Sequence, residues 1–287
     1  MGLMIKKILV PTDFSDLTKS AMSYAIRIAR VFGAEIHILH VVEGYEHNVM
    51  GETEEVTQEI LKKGLESKME DFTRGFNTSI KLKWHLKRGK IYKELNELAE
   101  EIGAHLIVMG THGASGFKGL GKMILGTNAY KTVHFSPCPV LTMSNTEHSL
   151  DFSNILLPLD VTKTTQQKVD FAIKWAKAFD SKIHLLSVTT FTDEYTHDSD
   201  ELNVRLRTIA KQVKEAGIKC LVCVSQYEQI VSAVNIYCKK NNIDLTLIMT
   251  RQEKKWNEYL IGSKARRLIM SSHVPVLSLQ PKEEAEI

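Results

Sequence analysis

Lys7-Ile-Leu-Val-Pro-Thr-Asp13 and Asn154-Ile-Leu-Leu-Pro-Leu-Asp160 are one phrase written twice, 147 positions apart (160 − 13). The same shift carries Ala25-Ile-Arg-Ile-Ala-Arg-Val-Phe32 onto Ala172-Ile-Lys-Trp-Ala-Lys-Ala-Phe179, and Ile36-His-Ile-Leu-His-Val41 onto Ile183-His-Leu-Leu-Ser-Val188. Further on the shift becomes 136 (263 − 127 and 277 − 141), matching Leu125-Gly-Thr127 to Ile261-Gly-Ser263 and Pro139-Val-Leu141 to Pro275-Val-Leu277. Order is kept while spacing drifts, as expected of one unit duplicated with loops of different length. The polar stretch Ser144–Ser153 carries no apolar periodicity and separates the copies. The expected domains are residues 1–145 and 152–281, followed by an acidic tail, 282–287.

Working outward from the repeated strand, short apolar runs alternate with helical patterns. In the first copy the expected strands are Ile8–Val10, Ile36–Val41, Ile80–Leu86, Leu106–Met109 and Val140–Met143. The expected helices are Ser15–Phe32, Glu54–Phe72, Ile91–Ile102 and Gly126–His134. Such alternation predicts an α/β fold, a doubly wound five-stranded parallel sheet of order 3-2-1-4-5 with helices on both faces, made twice in tandem. In Ile80–Leu86, Ile80, Leu82, Trp84 and Leu86 alternate with Lys81, Lys83 and His85, a pattern that suits a sheet edge, where lysines discourage further pairing. It reads as a core face with a wet side rather than a nucleic-acid patch.

Composition agrees. The 287 residues suit about two domains, and 43% apolar with 25% charged describes a folded chain. No apolar run approaches the roughly 18 residues of a membrane helix, and the start lacks signal-peptide architecture. A cytoplasmic protein without a membrane partner is expected. A net charge of +3 is too small to imply nucleic acid. Four cysteines suit a reducing compartment. Cys220 and Cys223 form a C-x-x-C, but on a strand, where side chains three apart point to opposite faces. No metal site and no catalytic constellation stands out.

The loop after Leu106–Met109 holds Gly110, Gly113, Gly116, Gly119, Gly121 and Gly126, six of the 16 glycines within 17 residues. Glycine lets backbone amides approach an anion, and the helix beginning at Gly126-Thr127 offers an amino end that favours negative charge. Gly116-Phe-Lys-Gly-Leu-Gly-Lys-Met123 falls short of a P-loop because Met123 stands where Ser or Thr is needed. No Gly-x-Gly-x-x-Gly follows the first strand, against a Rossmann dinucleotide site.

Val-Pro-Thr-Asp-Phe-Ser15, Ala25-Ile-Arg-Ile-Ala29, Leu-Ile-Val-Met-Gly-Thr-His-Gly113, Gly126-Thr127 and Cys-Pro-Val-Leu141 together resemble the universal stress protein family. Nearly the whole chain takes part, as a tandem member. The resemblance implies ATP, with or without Mg2+, with AMP, ADP and cyclic AMP as other candidates. It implies Asp13 near the adenosine, Gly110 and Gly113 with Gly126 and Thr127 at phosphates and ribose, and the Val41 backbone near adenine. Pro11 and Thr12 would line the same pocket. Met109, His112 and Asn128 flank these positions and complete the candidate set. Between Gly113 and Gly126 lie 12 residues (126 − 113 − 1), three more than the family's nine. The excess centres on Gly119-Leu-Gly121.

The second copy has Met249-Thr-Arg-Gln252 where the first has Gly110-Thr-His-Gly113. Side chains would fill the phosphate space, so a solvated loop and a mainly structural half are expected. Asp160 and Gly262-Ser263 nevertheless persist, which keeps open a purely local role for Asp13 as a cap and for Gly126-Thr127 as a helix start. Gly110 and Gly113 discriminate best between the copies. His37 and His184 hold equivalent positions and read as core histidines; His112 reads as a loop histidine. The expected function is a nucleotide-responsive stress or signalling protein with unidentified protein partners. A slow ATPase and a nucleotide-independent interaction module remain as alternatives. The resemblance further implies an internal dimer pairing Val140–Met143 with Val276–Leu279, and full-chain homodimers stay open.

Overall fold

Ile8, Leu9 and Val10 have no exposed surface, because their strand lies at the middle of a parallel sheet covered on both faces. A computed structural model of the chain describes residues 2–43, 52–112, 126–144, 146, 149–159, 165–189, 198–227, 229–250, 252–255, 258–261 and 263–281. The first half runs β1 (Lys7–Pro11), α1 (Asp16–Phe32), β2 (Glu35–Val42), α2 (Glu52–Arg74), β3 (Leu82–Arg88), α3 (Ile91–Ile102), β4 (Leu106–Gly110), α4 (Thr127–Phe135) and β5 (Val140–Met143). The second runs β6 (Asn154–Leu159), α5 (Thr165–Phe179), β7 (Lys182–Thr189), α6 (Asp198–Glu215), β8 (Cys220–Gln226), α7 (Ile230–Lys240), β9 (Leu245–Met249), β10 (Gln252–Lys255), β11 (Glu258–Ile261), α8 (Ser263–Ser271) and β12 (Val276–Leu279).

Ten of these strands form one sheet, in the order β3-β2-β1-β4-β5-β12-β9-β6-β7-β8. Each half therefore has the expected order 3-2-1-4-5, with parallel neighbours. The halves join where β5 meets β12 antiparallel: Leu141 faces Leu277, Thr142 faces Val276 and Val140 faces Ser278. Leu141 and Leu277 are equivalent in the repeat, so the pseudo-two-fold passes through that pair.

Alternation along β1 sends Ile8 and Val10 to one core and Leu9 to the other. Both cores run across the whole sheet; Leu141 and Leu277 belong to the first, Val140 and Val276 to the second. On the first face α1 and α5 meet in an aromatic cluster. Phe32 lies 6.2 Å from Trp175 and 5.8 Å from Phe179, measured between ring centroids. Phe152 stands edge-on to Trp175 at 5.4 Å and to Phe179 at 4.9 Å. Tyr24 donates its hydroxyl to the Ser149 carbonyl at 2.9 Å. Its pKa is raised by burial and then by the Asp244 carboxylate. On the other face Gln280 Nε2 donates to the Val133 carbonyl at 3.0 Å, and the Arg266 guanidinium lies 4.9 Å from the Tyr130 ring centroid.

β3 begins two residues later than the spacing predicts. The β2–β3 ladder opens with Ile36 facing Leu82, leaving Ile80 in a bend where its N–H donates to Thr78 Oγ1 at 3.2 Å. It is an edge strand, as its lysines require.

Trp175 has 0% exposure, and among the described residues its indole N–H has no hydrogen-bond partner. Trp175→Ala is expected to cost about 3–5 kcal/mol in urea denaturation followed by circular dichroism. Trp175→Phe should cost distinctly less, since it keeps an aromatic ring and removes the unsatisfied donor. Because both cores are shared, either variant should still unfold in one transition.

Candidate functional site

In a sheet of order 3-2-1-4-5 the crossovers leave β1 in opposite directions, opening a crevice outside the carboxyl ends of β1 and β4. Pro11 ends β1 and Gly110 ends β4, so most of the candidate residues converge at this switch point.

The chain leaving β1 is tied down locally. Thr12 N–H donates to the Leu39 carbonyl at 2.8 Å, the last rung toward β2. Thr12 Oγ1 accepts from Phe14 N–H at 3.0 Å, and Asp13 Oδ1 accepts from Ser15 N–H at 3.0 Å and Thr18 Oγ1 at 2.8 Å. Ser15 caps α1, its hydroxyl accepting from Thr18 N–H at 3.3 Å. These bonds hold Phe14 at φ 66°, a conformation costly for a non-glycine residue. The turn sends the Phe14 ring against His40 at 4.7 Å and Phe72 at 5.5 Å, under the Lys68 ammonium at 4.3 Å. His40 Nδ1 lies 2.7 Å from the Thr12 carbonyl. Asp13 therefore has a structural task, and one of its oxygens is engaged in it.

On the other wall, Thr111 N–H donates to the Met143 carbonyl at 2.8 Å, and its hydroxyl lies 2.8 Å from His112 Nδ1. The Thr111 carbonyl accepts from Gly126 N–H at 3.0 Å. That bond closes the base of the glycine-rich loop, whose residues 113–125, Gly113 included, lie outside the described residues. A Cβ on Gly126 would stand 2.9 Å from the Thr111 oxygen, so this closure requires glycine. Gly126 is the N-cap of α4 and makes no side-chain cap bond, leaving the amides of the first turn without that satisfaction. Thr127 and Asn128 are the first residues of α4. Val41, near the end of β2, faces Lys87.

Gly110 has a different explanation from a phosphate. A Cβ there would meet Leu17 Cδ2 at 2.5 Å and Cγ at 2.7 Å, so the glycine admits α1 close against β4. In the second copy the sizes invert in the sequence, Met249 for Gly110 and Thr164 for Leu17.

The second crevice is built otherwise. Thr250 N–H and hydroxyl both bond the Leu279 carbonyl, at 2.8 and 3.0 Å; the N–H bond repeats that of Thr111 to Met143. Beyond it, the expected loop is a hairpin, β10 and β11 pairing antiparallel from Gln252–Ile261 to Lys255–Glu258. Without glycine from Met249 to Ile261, and with Tyr259, Leu260 and Ile261, the segment favours extended backbone. β11 packs against α4 of the first half. Lys168, at the position of Ala21 (168 − 147), is 4% exposed, and its ammonium bonds the Pro158 carbonyl at the end of β6. Asp160, Arg251 and Gly262 lie outside the described residues.

His37 and His184 are each 4% exposed, as core positions require. His37 Nδ1 lies 2.9 Å from His85 Nε2, and its Nε2 lies 2.9 Å from Glu35 Oε1. His184 Nδ1 lies 3.0 Å from the Tyr237 hydroxyl. Hydrogen bonds from His37, Lys83 and Lys81 outweigh desolvation and hold Glu35 down to about 2. All four cysteines are free. Burial pushes the Cys138 and Cys238 thiols up to about 11, which makes them poor nucleophiles. Cys220 packs into one core and Cys223 into the other, on opposite faces of β8. Among the described residues no three His, Cys, Asp or Glu side chains gather to hold a metal ion, and no helix is long and apolar enough to cross a membrane.

Fold and crevice define the class: paired doubly wound α/β units with a glycine-framed switch-point loop in one of them. The chain belongs to the universal stress protein family, whose model, described as Universal stress protein family, matches residues 4–143 and again 151–279. A universal stress protein of Methanocaldococcus jannaschii is 32% identical over 141 residues, 48% of this chain and 81% of that one. YxiE of Bacillus subtilis is 30% identical over 148 residues, 48% of this chain and 98% of the relative. A crystal structure of a universal stress protein from Archaeoglobus fulgidus superposes along the whole chain, with TM-score 0.76, 21% identity and 98% coverage of each.

Thr111, His40, Phe14, Lys68 and Lys168 were not singled out by the sequence pattern, although Thr111 and Thr250 do recur at matching places. Gly110→Ala is expected to cost about 1–3 kcal/mol by overpacking. Combined with Leu17→Ala in a double-mutant cycle, the loss should fall short of the sum of the two single losses. Additive losses would show that Leu17 is not what excludes the methyl group.

Burial, as the largest cause, lowers the pKa of His85, His105, His134 and His184 from 6.5. Below about pH 6.5 the unfolded chain then binds more protons than the folded one, so stability rises with pH. The depressed Glu35 contributes above its unfolded value of 4.5 and loses that contribution only toward about 2, outside this window. Thermal unfolding at pH 5.5 should come at a lower temperature than at pH 7.5.

Proposed function

We propose that the first half binds an adenine nucleotide, ATP foremost, in the crevice between β1 and β4, and that the protein serves as a nucleotide-responsive stress or signalling factor. The observation that carries this reading is the loop base. The bond from Gly126 N–H to the Thr111 carbonyl brings the two ends of the glycine-rich segment together at the start of α4, which has no side-chain cap bond, and there oriented amides and the helix dipole favour phosphate oxygens. Pro11, Thr12 and Val41 stand at the strand ends where the family resemblance puts the adenosine. In the second half a buried lysine bonds the Pro158 carbonyl and a hairpin replaces the glycine-rich loop in the chain, so we infer one nucleotide per chain. Free thiols throughout suit a reducing cytoplasm.

A second reading, a nucleotide-independent interaction module, draws on one observation. Asp13 and Gly110 each have a packing or capping task that needs no ligand.

The readings part in calorimetry on the full chain. ATP should bind at one site per chain and raise unfolding stability by about 2.7 kcal/mol at a hundredfold excess over Kd. Mass spectrometry of nucleotide released from the purified protein should show the same stoichiometry. Gly113→Arg should remove both signals. No heat and no thermal shift with ATP, ADP, AMP or cyclic AMP would favour the interaction module, and magnesium-dependent turnover abolished by Gly113→Arg would make the protein an ATPase.

A further inference from the structure

The two edges of the ten-stranded sheet are unlike. β3 carries Lys83, Lys87 and Arg88, with Lys81 just before it, the charges that keep an open edge from pairing. β8, Cys220-Leu-Val-Cys-Val-Ser-Gln226, carries no charge and no proline. Leu221, Val222 and Val224 are 40, 47 and 53% exposed. Val204 on α6 and Ile236 on α7, the helices before and after β8, are exposed as well. Half of the ten exposed large hydrophobic side chains of the described residues thus lie on β8 or on the helix before or after it in the chain.

We propose that β8 is a self-association edge, at which a second copy of this chain adds its own β8 antiparallel to extend the sheet across a two-fold axis. Backbone geometry fixes the register. Ile183 N–H donates to the Lys219 carbonyl, so residues 219, 221, 223 and 225 turn their backbone groups toward β7. Cys220, Val222, Val224 and Gln226 then direct theirs to the open side. Pairing centred on Cys223 sets Val222 against Val224 and Cys220 against Gln226, and uses all four outward residues. Centring on Val222 would leave Gln226 unpaired.

Two features favour a second copy over an unrelated chain. The molecule already joins equivalent edge strands in this manner, β5 to β12 about Leu141 and Leu277. Charge along α6 is also self-complementary. In sequence that helix begins with Asp198, Asp200 and Glu201 and continues to Arg205, Arg207, Lys211 and Lys214, with Glu215 at its end paired to Lys211 at 3.8 Å. Since α6 packs on both β7 and β8, the two-fold would bring two α6 helices antiparallel, about two strand spacings or ~9.6 Å apart. That falls within normal helix-packing distance. The acidic start of each helix would lie along the basic end of the other.

The pairing stops at two copies, because it consumes the one uncharged edge of each. Sedimentation equilibrium of the full chain should give twice the 32.5 kDa chain mass. Val222→Lys/Val224→Lys alters side chains that are already exposed, and it sets lysines opposite one another across the axis. It should weaken association at least about tenfold while leaving the circular-dichroism melt of the single chain unchanged. Cys223 would meet its own copy at a non-hydrogen-bonded position, with Cα atoms ~4.5 Å apart, within disulfide reach. Mild diamide oxidation should therefore give a covalent dimer that Cys223→Ser abolishes and Cys220→Ser does not. A monomeric wild type, a dimer indifferent to the two lysines, or mass growing beyond two chains would each overturn the proposal.

Discussion

The antiparallel contact of β5 with β12 is short, three residue pairs, yet the rest of the molecule is arranged around it. It turns two five-stranded sheets into one and thereby merges the layers of apolar side chains above and below. Trp175, Phe179 and Phe152 of the second half can pack on Phe32 and Tyr24 of the first only because the strands beneath them are hydrogen-bonded neighbours. On the opposite face the same joint sets α8 beside α4, so that Arg266 reaches Tyr130. The aromatic side chains supply much of the apolar area; the strand pairing decides where that area can be spent.

Against this symmetric frame the two crevices have diverged by a few replacements of size and charge. Where Leu17 presses on Gly110, the other half carries a small residue and Met249. Where Ala21 is inert, the other half has a buried ammonium on the Pro158 carbonyl. At Thr111 and Thr250 alike the backbone N–H ties the chain leaving the fourth strand to the fifth, while the hydroxyls differ, one beside His112 and the other on the Leu279 carbonyl. Difference between the copies need not mark a ligand, since Gly110 and Met249 differ where the packing against the first helix differs. Asp13 serves the frame through its bonds to Ser15 and Thr18.

Most of the fold was legible in the sequence. Ile8–Val10 and Ile155–Leu157 are short runs with apolar residues on both faces, which a central parallel strand needs and few other structures tolerate. The repeat then supplied the topology of the second half from that of the first. What stayed hidden has physical causes. The start of β3 is set by where β2 begins, not by its own alternation. Leu17 and Gly110 touch across 93 positions (110 − 17), and neither residue signals the other. Lys168 looks like a solvated helix position, yet it is buried with its ammonium on the carbonyl at a strand end. The two strands of the β10–β11 hairpin are polar in five of their eight residues, so the pairing emerges from the lack of glycine rather than from an apolar pattern.

The covalent link between the halves has one more effect. Two separate subunits meeting through their last strands would part on dilution, and their pairing would follow cellular concentration. In a single chain the partner strand is always present at a high effective concentration. The ratio of the half with the glycine-rich loop to the half with the hairpin is therefore fixed at one to one by the gene itself, whatever the amount of protein.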